Sequence, residues 1–345
     1  MATDVTSPES TFERPPADHS TPGPAGVDRT VFGVSAGVTA LIVLWGVLFT
    51  DSLADASTAA LDWVIGSFGW FFVLSATGFV AFAAWLGIGR YGRIRLGQDG
   101  EKPEFSRLSW VAMMFSAGMG IGLMFYGVAE PISHLSEPPA GGVEPGSRAA
   151  EKTAMSYSLF HWTLHPWAIY SVVGLAIAYG AYRKGRGGLI SAGLVPLIGE
   201  RRAAGPVGKA VDVFAIFATL FGSATSLGLG ALQINGGLSE VLGLPDSAVV
   251  QIATIAVLTA LFVLSAVSGV ARGIKWLSNT NMVLAAGLVL FLFVVGPTVF
   301  ILNLVPASVG GYLASVVPMS LRTGAFGGTD WLSTWTIFYW AWWIS

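Results

Sequence analysis

Seven runs of the 345-residue chain are long and apolar enough to cross a bilayer, at residues 31–50, 63–89, 109–130, 155–182, 211–234, 249–270 and 281–305. No other feature limits the fold as tightly. The hydrocarbon core offers no water, so each crossing backbone must satisfy its own polar groups, and a helix of about 20 apolar residues does so. An eighth run starts near Leu332 and reads STWTIFYWAWWIS to Ser345 without a polar flank. The expectation is an all-α polytopic membrane protein with seven full spans and part of an eighth, the chain being cut inside that last span. Composition agrees, at 53% hydrophobic and 11% charged residues with a mean hydropathy of +0.67. A formal net charge of -2 gives no basic footprint for nucleic acid. The absence of cysteine excludes disulfides, thiolate catalysis and cysteine metal sites. Residues 1–28, rich in Pro, Ser, Thr and acidic side chains, read as a disordered tail without the pattern of a signal peptide. Residues 29–345 form the membrane domain.

Lysine and arginine orient the spans. Arg90, Arg93, Arg95, Lys102 and Arg107 follow the second span, and Arg183, Lys184, Arg186, Arg201, Arg202 and Lys209 follow the fourth. Arg272 and Lys275 follow the sixth, whereas the intervening loops hold only Arg148, Lys152 and Arg322. Even-numbered spans therefore end in the cytoplasm, and the amino terminus lies there too. Residues 306–328 mix Tyr312, Leu313, Val316, Val317, Met319 and Leu321 with small and polar residues. Either an amphipathic helix on the outer interface or an ordinary loop fits that mixture.

Inside the third span, Gly118, Gly120, Gly122 and Gly127 stand where a stable helix would carry Ala or Leu, each glycine costing about 1 kcal/mol against alanine. Gly118 and Gly122 alone would suit close approach of another helix. Gly120 between them is superfluous for packing. It favours local unwinding, with backbone carbonyls freed at mid-membrane to line a cavity or hold a cation.

The fourth span reads SLFHWTLHPWAIY. Trp167 and Tyr170 share a helical face, Trp162 is offset, and Pro166 removes a backbone hydrogen bond. The eighth span adds Trp335, Trp340, Trp342 and Trp343. An interfacial belt explains Trp63, Trp70 and Trp331 but not Trp162 and Trp167, which lie well inside a span. Indoles and a phenol converging in a dry pocket would cage a quaternary ammonium, at roughly 2 kcal/mol per desolvated ring. No carboxylate stands beside these rings in the sequence, which suits a zwitterion whose cation donates no hydrogen bonds.

Three strings, SAGMGIGLMFYGVAEP, FHWTLHPWAIY and WTIFYWAWWIS, strongly resemble the betaine/choline/carnitine transporter family, and the likeness runs from about residue 30 to 345. The resemblance implies a LeuT-like inverted-repeat carrier of twelve helices, usually a homotrimer in the cell membrane. Spans one and two would be an extra pair, spans three to seven the first repeat, and span eight the opening of the second. Trp162, Trp167, Tyr170 and Trp343 match the family's aromatic box for a trimethylammonium group, and Trp342 is its neighbour. Met119 and Gly122 fall on the substrate-facing break. Carbonyls of Ser116 and Met119 match one sodium site, and the hydroxyls of Thr219 and Ser223 another. Proton-coupled choline carriers of the family place an aspartate where this chain has Gly122, so sodium coupling is favoured.

The implied function is sodium-driven import of a compatible solute by alternating access, with no other cofactor. Glycine betaine leads, and choline, carnitine and ectoine stay open. A sodium-independent exchanger of the same family, a non-transporting osmotic sensor and a membrane metalloenzyme built on His161 and His165 are the alternatives. For the last, Glu130 or His134 could add a ligand. Glu130 and Asp212, near span ends, are expected to be solvated or paired. The partners expected are the small molecule, Na+ and lipid.

Overall fold

A computed structural model describes residues 27–97, 99–118, 120–139 and 142–343. The disordered-tail expectation for residues 1–28 therefore falls almost wholly outside the described residues, and so does Met119. Every regular element among the described residues is helical. Among the described residues seven helices are long and apolar enough to cross a membrane, with residues 148–183 counted as one, or eight if the bent pair within residues 107–136 counts as a single span.

Helix α1 (Arg29–Leu48) is capped by Asp28, whose Oδ1 accepts from the amides of Thr30 and Val31 at 2.9 and 3.1 Å. Helix α2 (Thr50–Ile88) begins thirteen residues before the second apolar run, because 50–62 is rich in alanine and leucine and lacks proline and glycine. Its 39 residues reach about 58 Å at 1.5 Å each, well beyond a hydrocarbon core of about 30 Å. The third run splits into α3 (Arg107–Gly118) and α4 (Ile121–Ser136).

The fourth run is also two helices, α5 (Arg148–Trp162) and α6 (Leu164–Ala178), hinged at Thr163 with φ -116° and ψ -109°. Pro166 is the cause: it has no amide to offer the Trp162 carbonyl, and its ring crowds that turn. Short helices α7 (Ile190–Gly193), α8 (Val195–Ile198) and α9 (Glu200–Ala203) lead to α10 (Pro206–Leu242) and α11 (Ala248–Ser268). Asp212 of α10 is buried and paired, not solvated: it accepts from the Ser191 amide at 3.0 Å and the Ser191 hydroxyl at 2.7 Å.

The seventh run ends earlier than its hydropathy suggests. Helix α12 (Lys275–Val295) stops at Gly296–Pro297, and α13 (Thr298–Ser320) follows. Residues 306–320 are therefore the body of a helix, and 321–328 are irregular. Helix α13 is not amphipathic in the interfacial sense. Its exposed stripe is apolar, with Leu302, Val309, Leu313 and Val317, while its buried face carries Ser308, Gly311, Tyr312 and Ser320. Gly311 lets α13 close on α5, since a Cβ there would lie 3.2 Å from the Ser156 hydroxyl.

The eighth run is α14 (Thr329–Leu332), a π-turn over Ser333–Ile337, and α15 (Phe338–Trp342). It packs on α2, where a Cβ at Gly69 would sit 2.7 Å from Ile337 Cδ1. Phe160, Tyr339, Trp340 and Leu332 are the largest apolar side chains at the centre of this packing.

Candidate functional site

The third span breaks where the glycines stand. Helix α3 ends at Gly118, Gly120 is extended with φ -86° and ψ -170°, and the two halves bend by 55°. Each glycine has a different role. A Cβ at Gly118 would meet Trp167 Cη2 at 1.9 Å, and one at Gly122 would meet Trp342 Cη2 at 2.8 Å and Trp162 Cη2 at 3.5 Å. A Cβ at Gly120 would meet nothing within 4 Å. The outer pair is thus a close-approach seat, but for indoles and not for another helix backbone. Close packing of a helix backbone is thus replaced by close packing of indoles, and the break itself matches local unwinding.

The break opens on a cavity of about 380 Å³, within the usual range of small-molecule sites of about 300–1,000 Å³. Trp162, Tyr170, Trp342 and Trp343 line it together with Gly118, Gly120 and Gly122. Trp343 stands edge-on to Trp162 at 5.1 Å and 84°, and to Tyr170 at 5.5 Å and 81°. Ser223, Ser226 and Phe262 complete the far wall. None of the described lining residues is charged.

Trp167 sits one layer back. It covers Gly118, contacts Tyr170 at 6.0 Å, and lines a neighbouring cavity with Trp162 and Thr163. Two other tryptophans of the eighth span turn away. Trp340 is buried and stacks on His165 at 5.2 Å and 15°, and Trp335 lies against His134 at 4.5 Å. Trp331 is not a plain belt residue either, since its indole donates to the Glu137 carbonyl at 3.1 Å and its ring packs on Tyr157 at 4.7 Å.

The sequence shows no carboxylate beside the rings, and the structure corrects this. Glu130, at 0% exposure, reaches the back of the aromatic wall. Its Oε2 accepts from the Trp162 indole N–H at 2.7 Å and from the Tyr339 hydroxyl at 2.7 Å. Its Oε1 lies 2.6 Å from His161 Nδ1 and 3.0 Å from His134 Nε2. Of the two states expected for Glu130, solvated or paired, the structure selects pairing. The available signal was a carboxylate inside an apolar run, which marks a functional position by default. Tyr339, Ser226 and Phe262 carried no such signal.

Glu130, His134 and His161 place one potential ligand atom each within 4.8 Å of one another. They fit a hydrogen-bonded cluster better than a metal centre. Ligands on one tetrahedral zinc, with bonds of about 2.0–2.1 Å, stand about 3.3 Å apart, whereas the carboxylate–imidazole separations are 2.6 and 3.0 Å. Thr336 Oγ1 occupies the other nitrogen of His161 at 2.9 Å. His165, the second residue of the metalloenzyme reading, is elsewhere, 3.1 Å from the Ser320 hydroxyl.

The residues matched to sodium sites are less closely grouped. Ser116 lies in the last turn of α3. Its hydroxyl donates to the Ser278 carbonyl at 3.3 Å and accepts from Asn281 Nδ2 at 3.2 Å, so the group it can offer an ion is its main-chain carbonyl. Thr219 and Ser223 follow one another by a turn on α10, yet only Ser223 lines the cavity.

Fold and cavity together define the class, a multi-pass helical membrane protein with a cavity between a broken helix and aromatic side chains of two other segments. The chain belongs to the BCCT family, the betaine/carnitine/choline family transporters, whose model matches residues 30–345. It is 51% identical to the glycine betaine transporter OpuD of Bacillus subtilis (strain 168) over 319 residues, 92% of this chain and 62% of that protein. Identity to the betaine/ectoine transporter LcoP of Corynebacterium glutamicum is 43%, covering 93% of this chain and 51% of the relative. For the high-affinity choline transport protein of Escherichia coli (strain K12) it is 41%, covering 92% and 47%. The chain thus spans between 47% and 62% of the length of these relatives. The family and these relatives are transporters, not enzymes.

Proposed function

We propose that this chain is the substrate-binding part of a secondary transporter that imports a quaternary-ammonium compatible solute, glycine betaine in the first instance, coupled to Na+. The observation that carries this reading is the uncharged cavity walled by Trp162, Tyr170, Trp342 and Trp343 at a break in a spanning helix. Ring faces in a dry cavity attract a trimethylammonium group that can neither donate hydrogen bonds nor shed its charge. Relatives named for betaine, choline and ectoine support the substrate class.

Sodium coupling draws support from the same break. The last carbonyls of α3 have no following helical turn to bond, and the negative end of the helix dipole points with them. Such a terminus attracts a small hard cation, and occupancy there would favour the broken conformation that shapes the cavity. Ser223 extends an oxygen to the cavity from α10. In the longer protein, the rest of a second repeat would let the site face alternate sides of the cell membrane, with the amino terminus cytoplasmic and the assembly a homotrimer.

The test is uptake of labelled glycine betaine by proteoliposomes of the full-length protein, with and without a sodium gradient. Gradient-driven accumulation is expected. Equal uptake without sodium, with counterflow of unlabelled solute, would replace symport by exchange. No uptake of any trimethylammonium solute would end the reading.

A further inference from the structure

We propose that Glu130 is a positioning and specificity-determining residue of the aromatic site, acting through the indole of Trp162. This rests on the reading that the cavity takes a quaternary ammonium.

The carboxylate is fully buried and meets four hydrogen-bonding groups, two at each oxygen. Trp162 can only donate and the Tyr339 hydroxyl donates to the same oxygen, so Oε2 is an acceptor, while two histidine nitrogens at ion-pair distance hold Oε1. A buried charge is tolerated when its lone pairs are filled in this way, and such charge-assisted bonds are the strong ones. The bonds also join separate elements. Glu130 belongs to α4 beyond the break, Trp162 ends α5, and Tyr339 lies on α15. These three elements build the cavity wall, so one carboxylate fixes the plane of the Trp162 ring against both its neighbours.

Position alone would make Glu130 structural. Its charge gives it a second effect. Pulling the indole proton toward Oε2 leaves more electron density on the Trp162 ring, and that ring lines the cavity. The negative charge is poorly screened in so dry a surrounding. Both effects favour a cation over a ligand of the same shape without the positive charge. No described residue of the cavity lining is charged, so Glu130 supplies the negative charge from behind the wall.

The test uses full-length protein and compares binding of glycine betaine with that of 3,3-dimethylbutyrate, which keeps the shape and the carboxylate but lacks the positive charge. Wild-type protein should prefer betaine. Glu130→Gln should reduce that preference by about tenfold, and not merely weaken both ligands alike. Trp162→Phe, which keeps a ring and loses the N–H, should reduce it to a similar extent. Glu130→Gln added to Trp162→Phe should then change it clearly less than Glu130→Gln does alone, the remainder being the carboxylate charge acting without the N–H. If Glu130→Gln does not fold, Trp162→Phe still decides: full retention of the betaine preference in that variant overturns the proposal. Equal losses for both ligands in Glu130→Gln would make the residue structural only, and also overturn it. Wild-type protein that binds neither compound would overturn the parent reading, and this one with it.

Discussion

The indole of Trp167 lies so close over Gly118 that a single methyl on that glycine would overlap Cη2 at 1.9 Å. Two residues to the carboxyl side, Gly120 has open space in the same test. The two glycines therefore predict opposite responses to alanine. Gly118→Ala must push Trp167 off the helix, an overpacking effect of about 1–3 kcal/mol. It should lower both the melting temperature and the affinity for betaine. Gly120→Ala meets no neighbour and gains up to about 1 kcal/mol of helix preference. It should hold or raise the melting temperature while slowing uptake, because the gain favours closing the break. Thermal melting and uptake of the two full-length variants check this, and similar behaviour in both would remove the distinction.

Neighbouring tryptophans of the eighth span should also separate. Trp343 stands edge-on to Trp162 and Tyr170 and lines the cavity. Trp343→Leu should weaken betaine binding about thirtyfold, the equivalent of roughly 2 kcal/mol for one desolvated ring. Trp340 stacks on His165 in the core instead. Trp340→Phe should lower the melting temperature and leave betaine affinity unchanged. A competition binding assay beside a melting curve measures both.

That contrast marks the limit of what the residues alone made legible. Most spans were plain, because a crossing helix must satisfy its own backbone where no water reaches it, but α13, also long and apolar enough to cross, was not among them. The glycine cluster pointed to a break for the same reason. Helix periodicity alone does not say which tryptophan faces the cavity, although the family resemblance named Trp342 and Trp343, and both line it. A π-turn over Ser333–Ile337 adds a residue to the helix, which rotates every later side chain by about 100° from a regular 3.6-residue register. Trp335, Trp340, Trp342 and Trp343 therefore scatter to different neighbours. Glu130 was hidden for another reason. Besides His134 on its own helix, its partners come from two other segments, α5 and α15, and hydropathy along one segment cannot show a countergroup on another. The early end of the seventh span follows from Gly296–Pro297, two residues lost in an otherwise apolar run.

At the other end of the molecule, Asp28 joins the start of α1 to α10 through Lys209, whose Nζ is 2.8 Å from Oδ2. The bond from Lys209 and the amides of α1 hold the Asp28 carboxyl below its ordinary value of 3.8. A lowered folded value means stability that is present above the unfolded value and fades as pH falls through the folded one. Asparagine also caps helices well, so Asp28→Asn removes the ion pair and keeps the cap. The variant should melt slightly below wild type at pH 7, and the gap should close below pH 4. A gap that persists unchanged into acid would assign the effect to something other than the carboxylate.

The histidine cluster predicts a negative result with a positive control. Elemental analysis of the purified full-length protein should find zinc and iron well below one per chain, and chelator should leave the melting temperature unchanged. Disrupting the cluster by His161→Phe should still destabilise the fold by about 1–3 kcal/mol, because Glu130 and the Thr336 hydroxyl each lose a partner. Stoichiometric metal with chelator-sensitive melting would reverse the assignment and reopen the metalloenzyme reading.

Pro166 offers the sharpest separation of stability from function. Its ring hinges α5 and α6 at Thr163, where the side-chain hydroxyl donates back to the Leu159 carbonyl at 2.6 Å. Alanine there would let residues 162–167 wind regularly and would relieve up to about 3 kcal/mol of helix cost. In a continuous helix, however, positions five apart differ by about 140° in direction. Trp162 and Trp167 could then no longer both reach the glycine face of the third span, where Gly122 and Gly118 receive them. Pro166→Ala should accordingly melt higher without ligand and show a smaller rise when betaine is added, with affinity down about tenfold if one ring contact is lost. Melting curves with and without betaine read both quantities at once. An unchanged betaine shift would mean that the hinge does not set the spacing of the two indoles.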